Sequence, residues 1–107
     1  MPADNQLQFG LKAEVIDRIA RVFAAVPGVR RVILYGSRAK GNFHTGSDID
    51  LVIEGDVSPS QLLKIESDLD DLLLPYTIDL AQRDSISNPD LLEHISRVGV
   101  VFYEKAK

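Results

Sequence analysis

A chain of 107 residues, 45% of them hydrophobic, accommodates one small domain with one core and leaves no length for a second. It has no cysteine and two histidines, so disulfides, thiol nucleophiles and nitrogen- or sulfur-rich zinc sites are excluded; a bound metal has to be held by oxygen, which points to magnesium or manganese. A formal charge of −4 gives little attraction for a phosphate backbone, so autonomous nucleic-acid binding is not expected, although a nucleotide stays open as substrate.

Met1 to Gly10 is polar and lacks a basic stretch followed by an apolar one, and no apolar run approaches membrane-spanning length. The expectation is a cytoplasmic protein with no signal peptide and no membrane segment. From Leu11 to Val26, Leu11, Val15, Ile16, Ile19, Ala20 and Phe23 fall on one helical face, which Pro27-Gly28 ends. Arg31 to Tyr35 is a short apolar run between glycines and reads as a buried strand. Gly36 to Gly46 reads as a loop with room for one helical turn at Arg38-Ala39-Lys40.

Ser47 to Glu54 alternates as a strand, with Ile49, Leu51 and Ile53 on one face and Asp48, Asp50, Val52 and Glu54 on the other. Gly55-Asp56 closes it. Ser58 is the expected N-cap of a second helix with Pro59 at its first position; Leu62, Ile65, Leu69, Leu72 and Leu73 recur at helical spacing until Pro75. Thr77 to Gln82 predicts a further strand, Asn88-Pro89 the start of a third helix, and Gly99 to Tyr103 a last short strand. The two leading strands follow one another through a loop alone. That order favours an α+β fold, a small mixed sheet with helices on one face, over a doubly wound parallel sheet.

The chemistry is concentrated between Tyr35 and Ile53. Gly36-Ser37 follows a strand in a turn where glycine lets backbone amides approach a phosphate and serine adds a donor. Ten residues later come Asp48 and Asp50, at i and i+2 of one strand and so on one face. Carboxylates crowded in this way repel unless a divalent cation lies between them. Asp79, flanked by Ile78 and Leu80 that face the opposite way, is the best candidate for a third carboxylate. Metal-assisted transfer of a phosphorus group needs such a set, since the protein mainly positions metal and triphosphate.

Gly-Ser, ten residues and Asp-x-Asp, here GSRAKGNFHTGSDIDLVI, resembles the signature of the minimal nucleotidyltransferase (MNT) family of the polymerase-beta-like superfamily, and TIDL resembles its later acidic strand. The resemblance covers nearly the whole chain. It implies two-metal-ion catalysis in which Gly36 and Ser37 hold the β- and γ-phosphates of ATP, Asp48 and Asp50 ligate both Mg²⁺ or Mn²⁺ ions, and Asp79 binds the catalytic metal and helps activate the acceptor hydroxyl. Arg38 and Lys40 are placed near phosphate by proximity alone. No domain for gripping a base or an acceptor is visible, which suggests a partner. Short family members are often encoded with a helical HEPN-type RNase toxin and act as antitoxins that transfer AMP to a toxin tyrosine. The alternatives are transfer to a small hydroxylated molecule and a non-catalytic binding module.

Other charged or polar residues have plainer readings. Glu54 reads as a solvated strand-end charge, His44 as an exposed loop residue and His94 as a helix-face residue. Glu66, Asp68, Asp70 and Asp71 read as the wet face of the second helix, and Tyr76 and Tyr103 as packing residues.

Overall fold

A computed structural model describes residues 7–44 and 46–106. The first six residues of the polar N-terminal segment, and Thr45 of the loop before Ser47, lie outside the described residues. The fold opens on a hairpin, β1 (Leu7–Gln8) against β2 (Leu11–Lys12), and continues as α1 (Ala13–Ala24), β3 (Val29–Tyr35), α2 (Gly36–Lys40), β4 (Ile49–Gly55), α3 (Pro59–Asp70), β5 (Ile78–Gln82), a 3₁₀ turn (Arg83–Ser85), α4 (Pro89–Val98) and β6 (Val100–Glu104). Four strands form a sheet in the order β5-β4-β3-β6. β3 pairs antiparallel with β4 and β6, while β4 and β5 run parallel, a geometry that needs the crossover supplied by α3.

The alternation of β3 and β4 sorts the core. Val32, Leu34, Leu51 and Ile53 face α1 and α3 and pack on Ile19, Phe23, Ile65 and Leu69; Ile33, Tyr35 and Val52 face the other way and meet Ile95 of α4. Both faces of the two central strands are therefore buried, which is why Val52 has no exposed surface. The expectation places all the helices on one face; of them α1 and α3 lie there. α4 takes the opposite face, where its apolar stripe of Leu91, Ile95 and Val98 packs with Ile33, Tyr35 and Val52.

Local chemistry sets the ends of the elements. Ser58 and Gln61 form a reciprocal capping box at the start of α3, and the Asn88 side chain accepts from the amides of Asp90 and Leu91 at the start of α4, each helix having proline in its first turn. α3 stops at Asp70 rather than running through Leu73. Leu73 has φ 54 and is 88% exposed, so the apolar spacing continues past the point where the backbone turns away. Leu11, read as the first helical position, belongs to β2 instead. The two-residue turn Phe9-Gly10 has positive φ at both positions, which closes the first hairpin ahead of α1.

Candidate active site

The site is built where β3 ends and β4 begins. Tyr35 lies opposite Asp50, and Asp50 opposite Asp79, so one row of side chains crosses three neighbouring strands. Strands in a sheet are roughly 4.8 Å apart, so the two carboxylates leave the sheet as immediate neighbours. Asp48 stands two residues before Asp50, exposed at the end of the loop rather than inside β4. Gly36 follows Tyr35 at φ +77, and a Cβ there would lie 2.2 Å from Oδ2 of Asp50. Only glycine fits: the conformation disfavours a side chain and the Asp50 carboxylate fills the space one would need.

Electrostatically the row is crowded with like charge. Burial, then the charge of Asp79, then that of Asp48 push the Asp50 carboxyl above its ordinary range, while His94 opposes the shift. The Tyr35 phenol is also pushed up, first by burial and then by Asp50 and Asp79, so it remains protonated and is no nucleophile at neutral pH. Among the described residues no lysine or arginine forms an ion pair with Asp48, Asp50 or Asp79.

Those carboxylates suit a hard divalent cation. All the donors are oxygens, their mutual repulsion is what a dication would relieve, and the glycine brings backbone right against Asp50. Among the described residues no three acidic or imidazole side chains already converge on one point. A site formed by Asp48, Asp50 and Asp79 together would need side-chain adjustment, for which Asp48 and Asp79 are exposed.

The neighbours of this row divide into expected and unexpected. Ser37 is half-buried on the first turn of α2, a complete short helix where a loop with one turn is predicted, and its carbonyl accepts the Gly41 amide. Arg38 is turned into the fold and is 2% exposed. Its guanidinium donates from Nη1 to the Phe9 carbonyl at 2.8 Å and from Nη2 and Nε to the Ser47 carbonyl at 2.9 and 3.2 Å. The rings of Phe43 and Tyr76 also lie within 5.2 Å of it. Arg38 thus ties the hairpin and the chain entering Asp48 to α2, a placement that proximity to Ser37 in sequence does not foretell. Lys40 is exposed.

His94, read as a helix-face residue, reaches the site from α4. Its Nε2 accepts the Gly36 amide at 3.3 Å and its ring meets Tyr35 edge-on. No local pattern announces this, since the contact spans 58 positions. Glu54, read as a solvated charge, is 8% exposed and is held between Arg31 and Arg83 at the opposite end of β4. His44 is exposed, and Tyr103 packs on Phe23, both as the sequence suggests.

Residues 17–107 match the pattern of the polymerase beta nucleotidyltransferase family. The chain belongs to this family. No curated protein matches it by sequence. Among solved structures, this nucleotidyltransferase is similar to a chain of a toxin–antitoxin complex crystallised with AMP-PNP, at 20% identity and a TM-score of 0.68 over 84% of this chain and 73% of the other. A mutant MntA–HpeT toxin–antitoxin structure gives 18% identity and 0.67 over the same shares. A tri-AMPylated Shewanella oneidensis HEPN toxin in complex with MNT antitoxin gives 17% and 0.63 over 86% and 71%. At these identities the likeness establishes a shared fold. No helix among the described residues of the nucleotidyltransferase is long and apolar enough to cross a membrane.

Proposed function

We propose that this nucleotidyltransferase moves AMP from ATP to a tyrosine hydroxyl of a HEPN-type helical toxin, and so acts as its antitoxin. The carrying observation is the row of Asp50 and Asp79 in register beside Gly36, with Asp50 pushed toward its neutral form by burial and by Asp79 and Asp48. Membership of the family supports the transfer, and the fold shared with chains of toxin–antitoxin complexes supports the partner.

Asp48, Asp50 and Asp79 would hold Mg²⁺ or Mn²⁺. When bound, such an ion neutralises triphosphate charge and lowers the pKa of an attacking hydroxyl. Gly36 lets the backbone approach the β- and γ-phosphates, and the Ser37 hydroxyl donates to them. Arg38 serves indirectly, by fixing the chain that carries Asp48. The acceptor oxygen attacks the α-phosphorus, the bond to the β-phosphate bridge oxygen breaks, and pyrophosphate leaves with its electron pair. Asp79, exposed on the edge strand, would steer the incoming hydroxyl and take up its proton. A phenol suits this site because its pKa near 10 lies closer to neutrality than that of an aliphatic hydroxyl. The added AMP places negative charge and bulk where RNA phosphates would bind.

Incubating a candidate HEPN toxin with the protein, ATP and Mg²⁺ should add one or more AMP units to the toxin's intact mass, and Asp48→Asn should prevent it. An unchanged toxin mass, with neutralisation by wild type and Asp48→Asn alike, would identify a binding module instead. AMP found on a small hydroxylated compound and never on the toxin would redirect the activity to that class of acceptor.

A further inference from the structure

α4 is not needed to carry any of the three aspartates, yet it sends one side chain to the centre of their row. The imidazole Nε2 of His94 accepts the Gly36 N–H at 3.3 Å. Gly36 is the first residue of α2, and Tyr35, its N-cap, offers no side-chain cap. Amides in a first helical turn have no acceptor within their own helix, so the partner has to come from elsewhere, and here it comes from another element. On its other side Gly36 abuts the Asp50 carboxylate so closely that a Cβ would lie 2.2 Å from Oδ2. The turn is thus held between an imidazole and a carboxylate, and the ring is itself steadied edge-on against Tyr35, in the same row.

We propose that His94 is a positioning residue for nucleotide binding: by accepting the Gly36 amide it fixes the Gly36-Ser37 turn against Asp50, so that phosphate contacts and metal ligand are presented in one rigid arrangement. The proposal rests on the nucleotidyltransferase reading of the site. Loss of the acceptor lets the turn rotate away from Asp50, and nucleotide affinity falls while the fold, which buries other residues of α4, is kept.

Calorimetric titration of ATP with Mg²⁺ needs no acceptor protein and tests this directly. His94→Leu keeps an apolar body against Tyr35 but accepts nothing, and it should weaken binding about tenfold while the protein stays folded, with a small fall in melting temperature. His94→Gln places a carboxamide oxygen near the position of Nε2 and should recover most of the wild-type affinity. With the cognate acceptor the loss in His94→Leu should appear in KM for ATP more than in kcat. Wild-type affinity in His94→Leu, or equal weakening in His94→Gln and His94→Leu, would overturn the role. If wild type itself binds no ATP with Mg²⁺, the nucleotidyl-transfer reading fails and this inference with it.

Discussion

The two ends of β4 treat a carboxylate in opposite ways. Glu54 and Asp50 lie on the same face, four residues and roughly 13 Å apart along the strand. Glu54 is closed in by guanidinium groups, with Nη2 of Arg31 at 2.6 Å from Oε1 and Nη1 of Arg83 at 3.1 Å from Oε2. Asp50 has Asp79 and Asp48 for neighbours instead. One end is finished by the chain's own cations; the other keeps a negative charge for which the chain supplies no ion-pair partner among the described residues. An arginine pair on one carboxylate and a carboxylate pair on another divide β4 into an end whose charge is satisfied within the fold and an end whose charge is crowded by its own sign.

The largest effect should come from Asp50→Asn. Transfer should fall to background, because the remaining donors no longer form a shared metal site. Without metal the same variant should melt higher than wild type at neutral pH. The sign follows from the raised carboxyl: the folded protein favours protonated Asp50 more than the unfolded chain does, so ionised Asp50 costs stability above the folded pKa. That cost is relieved as pH falls through the raised value toward the ordinary aspartate range. The gap between variant and wild type in a thermal melt should therefore narrow on acidification, and Mg²⁺ should narrow it by raising wild type alone. A gap independent of both pH and Mg²⁺ would remove the contrast with Glu54.

Glu54→Gln should do the reverse, costing stability and sparing chemistry. Two guanidinium groups lose their shared partner, but both are partly solvated, at 39% and 44% exposure, so a loss of about 1–3 kcal/mol is expected. In a domain of this size that lowers the melting temperature by roughly 4–8 °C for each kcal/mol. Activity per folded molecule should be unchanged in the AMP-transfer assay. Lys64→Ala sets the lower limit. It removes an exposed i,i+4 pair with Asp68 and should change stability by about 0.5 kcal/mol or less, showing that burial, not pairing alone, gives Glu54 its weight.

Much of the fold and of the acidic row is legible in the residues themselves. The strands ending at Tyr35 and carrying Asp50, the caps at Ser58 and Asn88, and the row completed by Asp79 all follow from spacing and local chemistry, which act over a few residues. What stays hidden depends on tertiary partners. Arg38 looks like a phosphate contact because it adjoins Ser37, yet carbonyls of Phe9 and Ser47 draw it inward. Glu54 looks solvated because a glycine follows it, yet an arginine 29 positions away closes over it. His94 is silent for the same reason. The first hairpin is hard to see because Phe9 occupies a left-handed position that asparagine or glycine usually marks.

The parallel pairing of β4 with β5 has a consequence for the order of assembly. β3 and β4 are antiparallel and linked by a shorter segment than β4 and β5, so their contact closes the smaller loop. Asp79 arrives only after α3 has crossed the sheet and β5 has docked on an edge, where one neighbour holds it. During synthesis Asp48 and Asp50 therefore leave the ribosome and can meet Gly36 well before Asp79 exists in place. The third carboxylate is then a report of completion: a chain that has not finished its crossover carries two-thirds of the acidic set and lacks the member that β5 brings opposite Asp50.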